Sequence, residues 1–358
     1  MSKRILMLIL IPISFGLTLY ARFNRSFAEF YAIEVYPIFG RLISFFTSRI
    51  KFSFAEFIII ALIITIIIYL LVVLVKTITN KSSVYIKDLF LNIAVTLSII
   101  YFLFVLFCGI NYYRYEFTYY SGLEIKESST EELVKLCEIL ISDANEQRTL
   151  LKTGLNGTAD INDDNYNLTA ERARKSFDNI SQEYEVLKGN YPAPKLVFNS
   201  KIMSQLRITG VFFPFTFEAN VNVDIPGYQI PSTMLHELVH LRGFMREDEA
   251  NFISYLACVN SGFDDFAYSG TMLALSHSMM ALYYEDYDSF ADLYNTYSED
   301  VKNDLRYSSN YWKQFETKVA EISNKVNDSY LKANNQDDGV KSYGRMVDLL
   351  LSYYSKDM

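Results

Sequence analysis

Three long stretches without a single charge, residues 5–21, 57–75 and 89–113, constrain this chain more than any other feature. A bilayer core about 30 Å thick is crossed by roughly 20 apolar helical residues. The second and third stretches meet that length and are rich in Ile, Leu, Val and Phe. The first is shorter, follows Lys3 and Arg4, and contains Pro12. No small-x-small cleavage pattern follows it, so it reads as an uncleaved span rather than the apolar core of a signal peptide. Core helices of a soluble domain carry polar residues at helical intervals, and these stretches are too uniformly apolar for that. Their concentration in the first third explains how a chain can be 51% hydrophobic and still 21% charged.

Residues 22–53 join the first two spans and mix Phe, Tyr and Ile with Arg22, Arg25, Arg41 and Arg49. They are expected either as an amphipathic segment at the membrane interface or as an ordinary loop. Three spans put the two ends of the chain on opposite sides. The short connection between the second and third spans carries Lys76, Lys81 and Lys87 and no acid before Asp88. Positive charge in short loops stays inside, so the C-terminal region is expected on the extracytoplasmic side. The domain reading is a membrane domain over 1–114 and a water-soluble domain over 115–358.

The second domain reads as mainly α with a small sheet. Ser129-Thr130-Glu131-Glu132 has the form of a capping box, and Leu133, Leu136, Leu140 and Ile141 follow at helical spacing. A second helix is expected over 169–188, after a polar loop rich in Asn, Asp and Gly. Residues 195–199 and 218–224 have strand character, the latter through the alternation Ala219-Asn220-Val221-Asn222-Val223 of a half-exposed strand. Pro226-Gly227 makes a turn, and Pro231 sits where a helix begins. Cys108, Cys137 and Cys258 are far apart, lack CxxC spacing, and read as small buried hydrophobes. The net charge of -8 leaves no basic surplus for phosphates, which excludes nucleic acid as a partner.

The chemistry concentrates in the sequence from Pro231 to Asn251. It holds two of the three histidines, His236 and His240, with Glu237 between them. Residues four apart share a helix face, so both imidazoles can reach one metal ion. Zinc takes such ligands and, in catalytic sites, keeps a position open for water. Glu237 is then the expected general base, taking a proton from that water and passing it to the leaving amine. A third protein ligand is required. Glu247 is favoured because Asn251 would follow one turn later and accept the remaining ring N–H of a ligand histidine. Glu249 is the alternative. A solvated helix start, with acids drawn to the N-terminal dipole, competes for Asp248 and one of the glutamates.

His236-Glu237-Leu238-Val239-His240 followed by Glu247-Asp248-Glu249-Ala250-Asn251 resembles the zincin metallopeptidases of the gluzincin kind. The membrane heat-shock peptidases and the regulator-cleaving peptidases among them take their third ligand from a Glu-x-x-Ala-Asp or Glu-x-x-Ala-Asn signature. That resemblance implies a zincin-like α+β domain, a zinc ion held by His236, His240 and Glu247, and a protein or peptide substrate. Six residues separate His240 from Glu247 here, fewer than is usual in those groups. Gly243 matches part of the metzincin pattern, but Arg246 stands where its third histidine would be. Over nearly its whole length the chain is also similar to an uncharacterised bacterial membrane family, domain of unknown function 3810. The likeness lies in the three apolar spans, the block HELVHLRGFMREDEANF and the stretch YLKANNQDDGVKSYGRMVDLL. It implies a multi-pass protein of the bacterial cell membrane.

Zincins place a His or Tyr to steady the oxyanion, and His277, Tyr255 and Tyr343 are the candidates here. Residues 215–224 are a candidate edge strand to hold an extended substrate. The overall expectation is a membrane-anchored zinc metallopeptidase. The rival from a different class is a non-catalytic membrane sensor or scaffold with a structural or degenerate metal site, in which protein closes the fourth position.

Overall fold

The computed structural model describes residues 3–161, 165–336, 339 and 345–355. The chain forms two compact units: Met1–Tyr115 with Phe213–Phe217, and Glu116–Phe212 with Glu218–Met358.

In the first unit the apolar stretches become three helices long and apolar enough to cross a membrane: α1 (Lys3–Phe23), α3 (Phe54–Asn80) and α4 (Val84–Phe107). Helix α2 (Tyr36–Thr47) lies between the first two in sequence. Pro12 cannot donate to the carbonyl of Leu8, and Leu8 lies in a 3-10 turn, Met7–Ile9, that relieves the clash. Ser53 caps α3 by accepting the N–H of Glu56 at 3.1 Å, and Lys81, in the left-handed region, ends it. Ile63, Ile67 and Leu71 of α3 are more than half exposed. The third helix is shorter than the apolar stretch that encodes it. Cys108 leaves helical geometry at φ -152, and Gly109–Tyr113 folds as a buried 3-10 turn.

Residues 22–53 are helical rather than a loop. They form Arg25–Phe30, a π-helical turn Tyr31–Val35, and α2. Glu29 pairs with Arg114 at 3.1 Å and accepts the N–H of Tyr115 at 2.9 Å, so this buried carboxylate keeps charged and neutral partners. The loop Phe213–Phe217 belongs to this unit because Phe217 packs its ring against Tyr36 at 5.2 Å and Phe107 at 5.6 Å. Gly40 makes room, since a Cβ there would meet the Phe217 ring at 3.2 Å.

The second unit is built on α5 (Thr130–Leu150), α6 (Tyr166–Glu183), α7 (Ile230–Leu241), α8 (Glu247–Val259) and α9 (Asp264–Glu285). The capping box at Ser129 and Glu132 is formed, and Leu133, Leu136, Leu140 and Ile141 are buried. Helix α6 starts earlier than its apolar pattern because Asn165 caps it, and it ends at Glu183 rather than running to residue 188. Helix α9 packs on α5 and α8, while α7 packs on α8, on α6 and on the sheet. Asp304 of α11 (Glu299–Lys313) ties the bundle together; α10 (Tyr287–Asn295) precedes it. It accepts from Arg148 Nε at 2.8 Å, the Tyr268 hydroxyl at 2.7 Å and Ala159 N–H at 2.8 Å. Helices α12 (Lys318–Ala333) and α13 (Met346–Tyr354) complete the unit.

The sheet has the order β1-β3-β2, from β1 (Lys195–Leu196), β2 (Gly210–Phe213) and β3 (Glu218–Val221). Strands β1 and β3 are parallel, with Lys195 opposite Asn220 and Leu196 opposite Val221. Two expectations fail here. Strand β3 is central and wholly buried, not half-exposed, and the edge next to it is β2, a strand the alternation pattern does not reveal. The polar positions of β3 tolerate burial because they are satisfied. Asn220 Nδ2 donates to Glu218 O at 3.1 Å, and Asn222 Nδ2 to Ile208 O and Ser204 Oγ at 2.9 Å. Lys195 neutralises Glu218 at 2.7 Å.

Candidate metal centre

Pro231 lies in the first turn of α7, where its missing N–H costs nothing, and Gly243 stops the helix with a left-handed φ of 87. Between these limits His236 and His240 project from one face, with ring centroids 4.6 Å apart and planes at 88°. Each ring is anchored through Nδ1. His236 Nδ1 donates to Asn251 Oδ1 at 2.8 Å, and His240 Nδ1 donates to the carbonyl of Phe244 at 2.8 Å. In the neutral form of each ring Nε2 then carries the lone pair, and both Nε2 atoms face Glu247 Oε2.

The turn after Gly243 delivers α8 with Glu247 as its first residue. Its Oε2 lies 3.1 Å from His236 Nε2 and 3.7 Å from His240 Nε2. Asn251, one turn on, is the acceptor that fixes His236. Neighbouring charges are drawn elsewhere: Arg246 pairs with Glu116 at 2.7 Å, and Glu249 accepts the N–H of Phe117 at 2.5 Å. Glu249 is therefore not gathered with the imidazoles, and its burial pushes the carboxyl up to about 7.

Three ligating atoms, one each from His236, His240 and Glu247, lie within 4.8 Å of one another. Ligands at zinc bond lengths in a tetrahedron sit roughly 3.3 Å apart, so the 3.1 Å and 3.7 Å separations fit a single ion at their focus. The electrostatics agree with the spacing. Burial pushes the Glu247 carboxyl up, yet the two imidazoles hold it well below the usual carboxylate range. Burial opposes protonation of His240, yet Glu247 raises it to about 9. The two shifts have one cause, the pairing of the Glu247 carboxylate with the imidazoles.

Glu237 points from α7 towards β2. Burial pushes its carboxyl up, against the pull of His236 and His240, and the backbone N–H of Phe212 bonds to it. Its Oε2 is buried and has no hydrogen-bond partner among the described residues. An unsatisfied carboxylate oxygen in the interior costs about 1–3 kcal/mol or more, so this oxygen is a candidate acceptor. Gly210 makes the approach of β2 possible, since a Cβ there would lie 2.5 Å from Glu237 Oε1. Sequence reading missed Gly210 and Phe212. The signal was the run Ile208-Thr209-Gly210-Val211-Phe212-Phe213, β-branched and aromatic and closed by Pro214.

The remaining candidates separate. His277 of α9 is lowered to about 4 by burial and by the charge of His236, so it lies within electrostatic reach of the site. Tyr255 is two turns beyond Glu247, with its hydroxyl committed to Tyr354 at 2.5 Å. Tyr343 lies outside the described residues. Residues 215–224 are not the edge flanking α7; the backbone beside Glu237 is that of β2.

A family model described as "Protein of unknown function (DUF3810)" matches residues 31–351. No curated protein and no solved structure matches the chain.

Proposed function

The chain belongs to the DUF3810 family, and from the site we propose that it is a membrane-anchored, zinc-dependent peptidase with a zincin-like domain. The observation that carries the reading is a convergence: two imidazole Nε2 atoms and the Glu247 carboxylate meet next to a buried glutamate oxygen with no partner. His236, His240 and Glu247 would hold the ion, and Asn251 and the Phe244 carbonyl hold the two rings in register. A zinc ion bound by these residues would supply Lewis acidity for a scissile carbonyl and its attacking water.

Glu237 removes a proton from the attacking water and delivers it to the departing amine nitrogen. Its raised pKa suits this work, because a base that must later act as an acid functions best when its pKa lies nearer neutrality. The Phe212 N–H and the close backbone of Gly210 keep the carboxylate from swinging away. His277, neutral at pH 7, has a ring N–H to offer the developing oxyanion. The three spans tether the enzyme to a bacterial cell membrane as a multi-pass protein, and the Lys76, Lys81 and Lys87 loop favours an extracytoplasmic active domain. The substrate is a protein or peptide that reaches this domain.

Glu237→Gln tests the assignment. The variant should keep its metal and lose hydrolysis by at least roughly 100-fold, the scale of a positioned acid–base group. Undiminished cleavage of a substrate processed by the wild type would refute it.

A further inference from the structure

We propose that helix α12 (Lys318–Ala333) is an interfacial helix that lies in the headgroup region of an anionic bilayer. The inference is independent of the metal centre. Thr317 caps the helix by accepting the N–H of Ala320, and only Ala320 and Leu331 of the helix are buried. A helix of this length is marginal in water unless packing supports it. Yet four apolar side chains turn outward: Val319, Ile322, Val326 and Tyr330 recur at intervals of three and four and form one stripe. Ile322 is 62% exposed and Val326 64%.

The charges beside the stripe say what covers it. Lys318, Lys325 and Lys332 recur every seven residues, so they form a single row along one border of the apolar stripe. Glu321 and Asp328 lie beyond that row, away from the stripe. Lys332 is paired with Asp328 at 2.7 Å, which leaves Lys318 and Lys325 to border the four exposed apolar side chains, a local reversal in a chain of net charge -8. Aliphatic and aromatic side chains immersed below the headgroups, with lysines reaching back to lipid phosphates, match this pattern. The same chain carries three helices long and apolar enough to cross a membrane, which makes a bilayer the surface proposed here.

The test uses the full-length protein in lipid nanodiscs, either zwitterionic or containing phosphatidylglycerol. A nitroxide is placed at Val326→Cys or, as a control, at Glu321→Cys; the native cysteines are buried. In anionic discs the label at 326 should collide with oxygen and be shielded from a water-soluble nickel chelate, while the label at 321 stays open to the chelate. Each lysine near an anionic surface contributes about a factor of five. The triple change Lys318→Glu, Lys325→Glu, Lys332→Glu should therefore weaken immersion by roughly 100-fold. The proposal is overturned if the chelate reaches 326 as freely as 321 in anionic discs. It is equally overturned if shielding at 326 comes with spin–spin broadening between two labels, which would make the partner a second copy.

Discussion

Replacing Gly210 with alanine probes the candidate site through one methyl group. The glycine is not in the left-handed region, so alanine strains no backbone; the cost is steric. The new Cβ would stand 2.5 Å from Glu237 Oε1, 2.7 Å from its Cγ and 2.9 Å from its Cδ. Comfortable contacts begin near 3.5 Å, so the carboxylate or the strand must yield by about 1 Å. Glu237 is 4% exposed and has little room to yield. A shift of about 1 Å in a catalytic group costs roughly 100-fold in rate, or about 2.7 kcal/mol of barrier. Overpacking of this kind costs about 1–3 kcal/mol of stability. The assay is hydrolysis of an unstructured protein such as casein, with zinc content and thermal unfolding measured on the same sample. Retained zinc, a modestly lowered melting temperature and a rate down by two orders of magnitude are expected. A wild-type rate in a folded, zinc-loaded variant would refute the role given to Glu237 and to its contact with β2.

Two further outcomes follow from the same geometry. Asn251→Ala removes the acceptor of His236 Nδ1–H; zinc affinity measured by chelator competition should fall about 10–100-fold, and Asn251→Asp should restore most of it. In the metal-free protein Glu247 raises His240 to about 9, so at neutral pH a bound metal must displace a proton. Apparent zinc affinity should therefore rise by about tenfold per unit between pH 7 and pH 9 and level off above, and a flat profile would contradict that coupling.

The parts of this protein that were legible in its sequence are those governed by local rules. The three apolar helices follow from uninterrupted hydrophobicity, and the start of α5 from its capping box at Ser129 and Glu132. The pairing of His236 with His240 follows from their spacing on α7, while the preference for Glu247 over Glu249 rests on Asn251 one turn later and on the resemblance, and the structure gathers Glu247 with the two histidines. The errors fall where tertiary context decides. The alternation in β3 is real, but Asn220 and Asn222 find partners inside, so a pattern that reads as half-exposed is fully buried. Strand β2 is four residues long and contains a glycine, and only the presence of Glu237 beside it explains that glycine. Helix α4 stops at Phe107 although the apolar run continues, because residues from Cys108 to Tyr113 pack as a 3-10 turn. Nothing local announces that Phe213–Phe217 packs with residues more than 100 positions earlier.

The quantity that bears most directly on the central claim is metal per chain, measured by inductively coupled plasma spectrometry on purified full-length protein and on His236→Ala prepared alongside it. The account requires close to one zinc ion per folded wild-type chain and little or none in the variant, because His240 and Glu247 alone cannot replace the set of three donors. Equal metal in the two proteins, or none in the wild type after zinc is supplied, would contradict it.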